Sequence, residues 1–290
     1  MAKTYNDLYM DLRQELRRAG IEAATLEAKE LVCFASGKTR EQLLADGRLY
    51  APESVIRTVE DLTQRHLAGE PVAYLIGEWS FYGLTLDISE AVLIPRTDTE
   101  VLAEEAIRYV KTLRDCRVLD LCSGSGCLGL AIAANCPEAR VTLGEISDGA
   151  LRIMRQNIRR TGLTGRAVAL GMDARKAPER TLGDFDCIVC NPPYIPSGDI
   201  AQLDVSVRDY EPHLALDGGA DGLDFYRDII EKWRKALAKN GKLFFEVGIG
   251  QADGVLRLMR SAGFGDLTIV KDTGGVQRVV SGRICESLEA

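Results

Sequence analysis

Apolar residues recur at helical spacing over the first part of the chain. Tyr5, Leu8, Tyr9, Leu12 and Leu16 make one stripe, and Leu26, Leu31 and Val32 mark a second. Thr39 and Gln42 stand at capping-box spacing and predict the start of a short third helix. Val55, Val59, Leu62 and His66 share one face of a fourth, which Gly69 and Pro71 bring to an end. His66 reads as a residue of that amphipathic face rather than a ligand. Residues 1–72 are therefore expected to form a small helical bundle, used for substrate recognition.

The pattern then changes. Trp79, Phe81, Tyr82, Leu84, Leu86 and Ile88, with Gly83 among them, predict a β-hairpin within a connector at 73–96. A helix over 99–113, capped by Thr97 or Asp98, opens the third region, 97–290. From Arg117 onward strands and helices alternate. Strands are expected at 117–122, 140–145, 167–171 and 186–190, with helices at 127–134 and 148–160. A helix at 225–238, a strand at 241–247, a helix at 252–262 and strands at 267–271 and 276–281 complete the chain. Such alternation predicts an α/β fold, a Rossmann-like, mostly parallel seven-stranded sheet with helices on both faces and an antiparallel pair at one edge. No internal repeat or low-complexity segment interrupts it.

Composition narrows the function classes. Apolar residues make up 46% of the 290, enough for a core. No apolar run is long enough to cross a membrane, and the polar start, Met1 to Met10, lacks a signal-peptide core, so a cytoplasmic protein is expected. Eight cysteines suggest no disulfides in that compartment. Cys187 and Cys190 are spaced C-x-x-C but fall in a buried strand, where positions i and i+3 face opposite ways, and no second pair completes a zinc site. No metal is expected. The net charge of −7 argues against a free nucleic-acid partner, and the basic run Arg155, Arg159, Arg160 reads as the solvated side of one helix.

Two segments carry chemistry. Val118-Leu119-Asp120-Leu121-Cys122-Ser123-Gly124-Ser125-Gly126 reads as a strand, a glycine turn and the start of a helix, a ligand crevice in open α/β sheets. The following strand ends in Glu145, placed to accept hydrogen bonds from both hydroxyls of a ribose. Cys122 breaks the dinucleotide fingerprint, and the Gly-Lys-Ser/Thr of a phosphate loop is missing. Asp120 suits a cationic amino group better than a diphosphate. Together these favour S-adenosylmethionine, with S-adenosylhomocysteine as product, over NAD or ATP. Asp173 could reach the adenine amino group or be an ordinary loop residue; the two readings stay level.

The second segment, Asn191-Pro192-Pro193-Tyr194, directly follows the strand at 186–190. Two prolines stiffen the backbone, restrict Asn191 to extended geometry and donate no N–H. The Asn191 side-chain oxygen and the Pro192 carbonyl can each accept one N–H of a planar NH2 group, and Tyr194 can lie against it. An amide or exocyclic amine nitrogen has a delocalised lone pair, so fixing it and favouring positive charge is the task. No general base is required, and no Ser-His-Asp or Cys-His set is present; the chain has two histidines, His66 and His213.

In these segments and others the chain resembles the bacterial release-factor glutamine N5-methyltransferases, the HemK/PrmC type, over nearly its whole length. The resemblance rests on Gly69-Glu70-Pro71, Tyr74-Leu75-Ile76-Gly77, Leu93-Ile94-Pro95-Arg96-Thr97-Asp98-Thr99-Glu100, Asp120 to Gly126 and Asn191 to Pro196. It continues through Tyr210-Glu211-Pro212, Gly218 to Leu223, Glu246-Val247-Gly248 and Arg278-Val279-Val280. The Asn-Pro-Pro-Tyr segment is shared with adenine-N6 and cytosine-N4 DNA methyltransferases; the Ile94 to Glu100 and Tyr210 to Pro212 blocks are more specific.

The resemblance implies a class I methyltransferase domain and methyl transfer to the Gln amide of the Gly-Gly-Gln motif in class 1 peptide chain release factors. It also implies that Cys122 to Gly126, Glu145, Ala174 and Asn191 line the cofactor, that Asn191 to Tyr194 hold the Gln amide, and that the helical bundle helps hold the release factor. A monomer without direct nucleic-acid contact is expected. Three positions depart from the family pattern: Cys122 for the usual Gly, Glu145 for the commoner Asp, and Ser206 where an acid usually precedes the Val-Arg pair. Arg96, Thr97 and Glu100 have two open roles, anchoring a helix start or lining the pocket mouth, with anchoring favoured.

Two other functions compete. A nucleic-acid amino methyltransferase acting on flipped adenine or cytosine would present the same NH2 group but predicts a basic groove and a target-recognition domain, neither of which is evident. A non-catalytic binding protein predicts decay of Asn191 or of the glycine turn; both are intact.

Overall fold

The computed structural model describes residues 3–284, which form two compact units divided between Gly77 and Glu78. The first is helical. Helix α1 (Tyr5–Arg18) starts at a complete capping box, in which Thr4 and Asp7 satisfy each other's backbone N–H groups, and it buries Tyr5, Leu8, Leu12 and Leu16. Helix α2 (Ala24–Ser36) buries Ala24, Ala28, Leu31 and Val32; Leu26, expected in that stripe, is exposed because two residues past Ala24 the helix has turned past a right angle. The Thr39–Gln42 capping box opens α3 (Arg40–Ala45) as the spacing predicts. Helix α4 (Glu53–Leu67) buries Val55, Val59 and Leu62. His66 on α4 is structural: its ring nitrogens bond the Glu27 carboxylate (3.1 Å) and the Glu70 carbonyl (2.9 Å). Burial lowers its pKa, but those two contacts outweigh burial and raise it. A short α5 (Val72–Ile76), absent from the sequence expectations, follows Pro71 and stops at Gly77, whose φ of 75° is the left-handed end of a helix.

The second unit opens with the expected hairpin, β1 (Glu78–Phe81) and β2 (Leu84–Asp87), antiparallel to each other. Then follow α6 (Thr99–Val110), β3 (Arg117–Leu121), α7 (Cys127–Asn135), β4 (Arg140–Glu145), α8 (Asp148–Arg160), β5 (Ala167–Gly171) and β6 (Phe185–Cys190). The chain finishes with α9 (Val205–Arg208), α10 (Asp224–Trp233), β7 (Leu237–Glu246), α11 (Ala252–Ser261), β8 (Phe264–Lys271) and β9 (Gln277–Ile284). The seven-stranded sheet runs β5-β4-β3-β6-β7-β9-β8; β3 to β7 are parallel and β9 is antiparallel to both its neighbours. This is the doubly wound α/β architecture with an antiparallel edge.

Three local expectations give way. The helix expected at 225–238 ends at Trp233, whose indole N–H donates to the Ala174 carbonyl at 2.8 Å; one 3-10 turn later Leu237 pairs with Phe185 and the chain is already a strand. Asp98, one of the two expected residues, takes the N-cap position of α6, but its side chain makes no capping hydrogen bond and pairs with Arg278 at 2.7 Å instead. Cys122 lies beyond β3 and bends away with φ of 57°. Cys187 and Cys190 are buried free thiols, and Cys190 packs with Leu119, Leu121 and Phe245. Arg155, Arg159 and Arg160 are exposed, and Arg160 ion-pairs with Glu78 and Asp87 of the hairpin. Among the described residues no helix is long and apolar enough to cross a membrane.

The sheet order places the site. The chain runs outward from β3 through β4 to β5, then returns to β6 on the other side of β3. The connections leaving β3 and β6 run to opposite sides of the sheet order there, and open α/β sheets form their ligand crevice at that switch point. Leu121 pairs with Cys190, so the glycine turn after β3 and the Asn191 segment after β6 emerge side by side.

Candidate active site

A cavity of about 480 Å³ opens over the C-terminal ends of β3, β4, β5 and β6. Of the residues expected at a cofactor, it is lined by Asp120, Cys122, Ser123, Gly124, Ser125, Glu145, Asp173, Ala174 and Asn191; Pro193 also reaches it. Gly126, Pro192 and Tyr194 do not line it. Apolar walls that the sequence reading passed over come from Ile146, Met172, Leu214 and Phe225. The size suits a drug-sized cofactor, and apolar walls with a few convergent polar groups are what such sites show.

The floor is the turn after β3. Cys122 adopts a left-handed φ that favours glycine, and Gly124 and Gly126 follow at φ of 53° and 83°. A Cβ at Gly129, on α7, would stand 2.2 Å from Leu143 and 3.0 Å from the Asp120 carboxylate. Helix α7 can therefore approach the sheet only with glycine there. Asp120, 1% exposed, accepts the Gly129 N–H at 2.9 Å, anchoring the first turn of α7. Burial pushes its carboxyl up to about 7, against the pull of Gly129 and Ser123.

Glu145 has a role that spacing does not reveal. One carboxylate oxygen accepts the Gly124 N–H at 2.9 Å, and the other accepts the N–H groups of Ile146 (2.8 Å) and Ser147 (2.9 Å). It ties the glycine turn to the start of α8. The longer side chain, where Asp is commoner, folds back on its own backbone. Each carboxylate oxygen carries two lone pairs, so one acceptor position, on the oxygen that meets Gly124, is left for a ribose hydroxyl. Asp173 lines the cavity beside its contacts with the Arg175 N–H (2.9 Å) and Lys176 (3.4 Å).

The opposite wall is the segment after β6. Pro192 and Pro193 are buried and Asn191 is partly so. The Asn191 side-chain NH2 donates to the Thr99 hydroxyl at 3.3 Å. Among the described residues no hydrogen bond ends on the Asn191 side-chain oxygen or on the Pro192 carbonyl. Tyr194 is clamped from outside the cavity. Gln251 donates to its carbonyl at 2.8 Å, and a Cβ at Gly218 or Gly222 would fall within 2.7 Å of its backbone. Burial pushes the Tyr194 hydroxyl up to about 12, so it is neutral at ordinary pH.

Arg96, Thr97 and Glu100 divide between their two roles. Arg96 lines the cavity and pairs with Glu211, whose side chain is 1% exposed and whose second oxygen has no hydrogen-bond partner among the described residues. Glu100 accepts the Tyr82 N–H at 2.7 Å and holds the hairpin turn. The Thr97 carbonyl accepts the Glu100 N–H at 3.0 Å. Ser206 sits on the short α9, away from the cavity lining. Glu246, unassigned by the sequence reading, ends β7 behind Asn191; like Glu145 it is an acid at the C-terminal end of a buried strand, the signal that could have found it.

Comparison with known proteins agrees with this geometry. Residues 7–77 match the PrmC N-terminal domain and residues 97–206 the methyltransferase small domain. A release factor glutamine methyltransferase of Geobacter sulfurreducens is 40% identical over 274 residues, 94% of each chain. One of Bradyrhizobium diazoefficiens is 38% identical over 276 residues, 94% of this chain and 92% of the relative. Among solved structures, the hMettl16 catalytic domain in complex with the MAT2A 3'UTR hairpin 6 superposes with a TM-score of 0.56 at 16% identity, over 78% of this chain and 83% of that one, a likeness of fold. Relatives matched over 92–94% of their length, joined to a glycine-turn cavity walled by Asn191 and Pro193, lead to one assignment: the chain belongs to the release factor glutamine methyltransferase family, a family of S-adenosylmethionine-dependent enzymes.

Proposed function

We propose that this protein methylates the side-chain amide nitrogen (N5) of the Gln in the Gly-Gly-Gln motif of class 1 peptide chain release factors, with S-adenosylmethionine as the donor. The observation that carries the reading is the pair of open acceptors at Asn191 and Pro192, beside a cavity whose other polar groups are already braced. A primary amide has two N–H groups and the segment offers two acceptors. The 32–40% identity to relatives of that name directs the choice of amide.

S-adenosylmethionine would supply a methyl group made electrophilic by its sulfonium. For this chain, Glu145 would hold the ribose, Asp120 the amino group, Cys122 to Gly126 the amino-acid portion, and Asp173 and Ala174 the adenine side. The Asn191 oxygen and the Pro192 carbonyl accept both N–H groups of the Gln amide. That orients the nitrogen and favours the positive charge that develops on it. Holding nitrogen and methyl in one frame contributes up to roughly 7–11 kcal/mol in ideal cases. Pro193 keeps the turn rigid, and neutral Tyr194 lies against the planar group. The proton leaves after transfer. The release factor is then the macromolecular partner, and the cytoplasm, where it works, the site of action; the reading needs neither nucleic acid nor a second copy of the chain.

The test is transfer of labelled methyl to a purified release factor, intact and with the Gln of its Gly-Gly-Gln motif changed to Ala, with DNA run in parallel. Label on the intact factor alone is the expected result. Label on DNA, with none on the factor, would replace this reading by an adenine-N6 or cytosine-N4 methyltransferase.

A further inference from the structure

Glu246 is a buried acid without an evident counter-charge. It is 2% exposed, and among the described residues its Oε2 has no hydrogen-bond partner. The cation nearest to it in effect, Arg278 of β9, is committed elsewhere, to Asp98 at 2.7 Å and Asp272 at 2.9 Å. Structures rarely keep such a group unless it has a task, since a buried carboxyl without its own ion pair is costly. Cys190 pairs with Phe245 in the parallel β6–β7 ladder, so Asn191 and Glu246 leave the two strands side by side, and the Thr99 hydroxyl and the Asn191 amide both pull the Glu246 pKa back down.

Asn191 can accept a substrate N–H only if its carboxamide is turned the right way round. A carboxamide has one acceptor end and one donor end, and a flip exchanges them. The NH2 end already donates to Thr99. A carboxylate behind it accepts only, so it favours the NH2 end and repels the oxygen end. Thr99 alone cannot enforce this, because a hydroxyl can donate as readily as accept.

Resting on the reading of Asn191 given above, we propose that Glu246 is the positioning residue of the reaction: its carboxylate holds the Asn191 NH2 group and thereby aims the Asn191 oxygen at the substrate amide. A second effect follows from its charge. Negative charge behind Asn191 strengthens that oxygen as an acceptor just as positive charge builds on the substrate nitrogen.

The state of Glu246 makes the idea measurable. Burial, the largest influence, pushes it up to about 7, with Thr99, Arg278 and Asn191 acting against burial and Asp98 with it. The other titratable groups it influences are Tyr194 after β6, Tyr226 on α10 and Cys127 at the start of α7. Tyr194 and Cys127 are pushed up to about 12 and Tyr226 well above its ordinary value, so none of them titrates near neutrality. Asp120 does, at about 7, but on the cofactor side of the cavity, so Glu246→Gln separates the two.

The experiment uses the full chain with S-adenosylhomocysteine bound and asparagine side chains labelled with 15N; Asn191→Ala identifies the Asn191 resonance. That NH2 resonance is expected to titrate with a midpoint near 7 and to stop doing so in Glu246→Gln. In parallel, Glu246→Ala is expected to lower kcat for the release factor about 100-fold, the scale of a small misplacement of a catalytic group. Its affinity for S-adenosylmethionine should stay within about twofold, as expected of a change felt only in the transition state. Glu246→Gln is expected to restore part of kcat while flattening its rise through neutral pH. An Asn191 resonance indifferent to pH and to Glu246→Gln would overturn the proposal, whether or not the release factor proves to be the substrate. So would a Glu246→Ala enzyme with wild-type kcat. Absence of transfer by the wild-type protein, with the resonance titrating as expected, would count against the substrate and leave the positioning role supported.

Discussion

The ends of β3 and β4 and the end of β6 face the same cavity but are built on opposite principles. At β3 and β4 the polar groups are spent on the protein itself. Glu145 accepts three backbone N–H groups, and Asp120 accepts the Gly129 N–H. At β6 the bracing comes from behind. Thr99 holds the Asn191 NH2 and Gln251 holds the Tyr194 carbonyl, while among the described residues no hydrogen bond ends on the Asn191 oxygen or the Pro192 carbonyl. The difference suits the proposed tasks. A cofactor site must keep its shape through each turnover, whereas an acceptor pair for an incoming amide must be rigid and unsatisfied until the substrate arrives.

Substitutions should break the two halves separately. Asn191→Ala is expected to have the largest effect, a loss of about 100- to 1,000-fold in kcat, the scale found when one pre-organised hydrogen-bonding group is removed. Isothermal titration should show cofactor affinity little changed, and a matching loss of affinity would mean that the halves are not separable. Glu145→Ala should do the reverse. Losing charge-assisted hydrogen bonds worth about 1.5–3 kcal/mol each is expected to weaken S-adenosylmethionine binding by at least tenfold and to lower the melting temperature. Unaltered affinity would remove Glu145 from the cofactor site.

Asp120 sharpens the comparison through pH. Its carboxyl is pushed up to about 7, and its proposed ligand is a cationic amino group, which only the ionised form attracts. Cofactor affinity should therefore rise with pH, by up to about tenfold per unit below 7, and level off above it until the ligand's own amino group deprotonates near 8. Asp120→Asn should flatten the rise; a slope that persists there would assign it to another group. The smallest effect is expected at Cys122. A non-glycine residue at φ of 57° carries strain of about 1–3 kcal/mol, and glycine relieves it at a cost of about 0.4–1 kcal/mol in unfolded-chain entropy. Cys122→Gly should raise the denaturation midpoint slightly and leave cofactor affinity alone. A marked loss of affinity would show that the thiol itself meets the cofactor.

What the sequence reveals follows the range over which its signals act. Strand β4, helix α8 and strand β5 are legible to the residue because each has its own period and its own stop, with Ser147 capping α8. Helix α5 is too short to show a period, so Val72–Ile76 passes unnoticed. The turn from α10 into β7 is set by Phe185 pairing with Leu237 and by Trp233 reaching Ala174, contacts that no local pattern contains. The site divides in the same way. Asn191 and the glycine turn announce themselves because their residue types are unusual where they stand. Thr99 does not, since it is ordinary in its own segment and gains meaning only beside Asn191; Glu246 carries the same strand-end signal as Glu145, but nothing local tells what it faces. Glu145 is legible as an acid at a strand end, but its backbone bonds depend on the path of the turn above it.

The most direct measurement is a structure of the protein with S-adenosylhomocysteine and a class 1 release factor bound together. The account predicts the Gln side-chain NH2 of the Gly-Gly-Gln motif with one N–H on the Asn191 oxygen and the other on the Pro192 carbonyl, each about 3 Å away. A Gln amide bound elsewhere, or one that meets the NH2 end of Asn191, would contradict it.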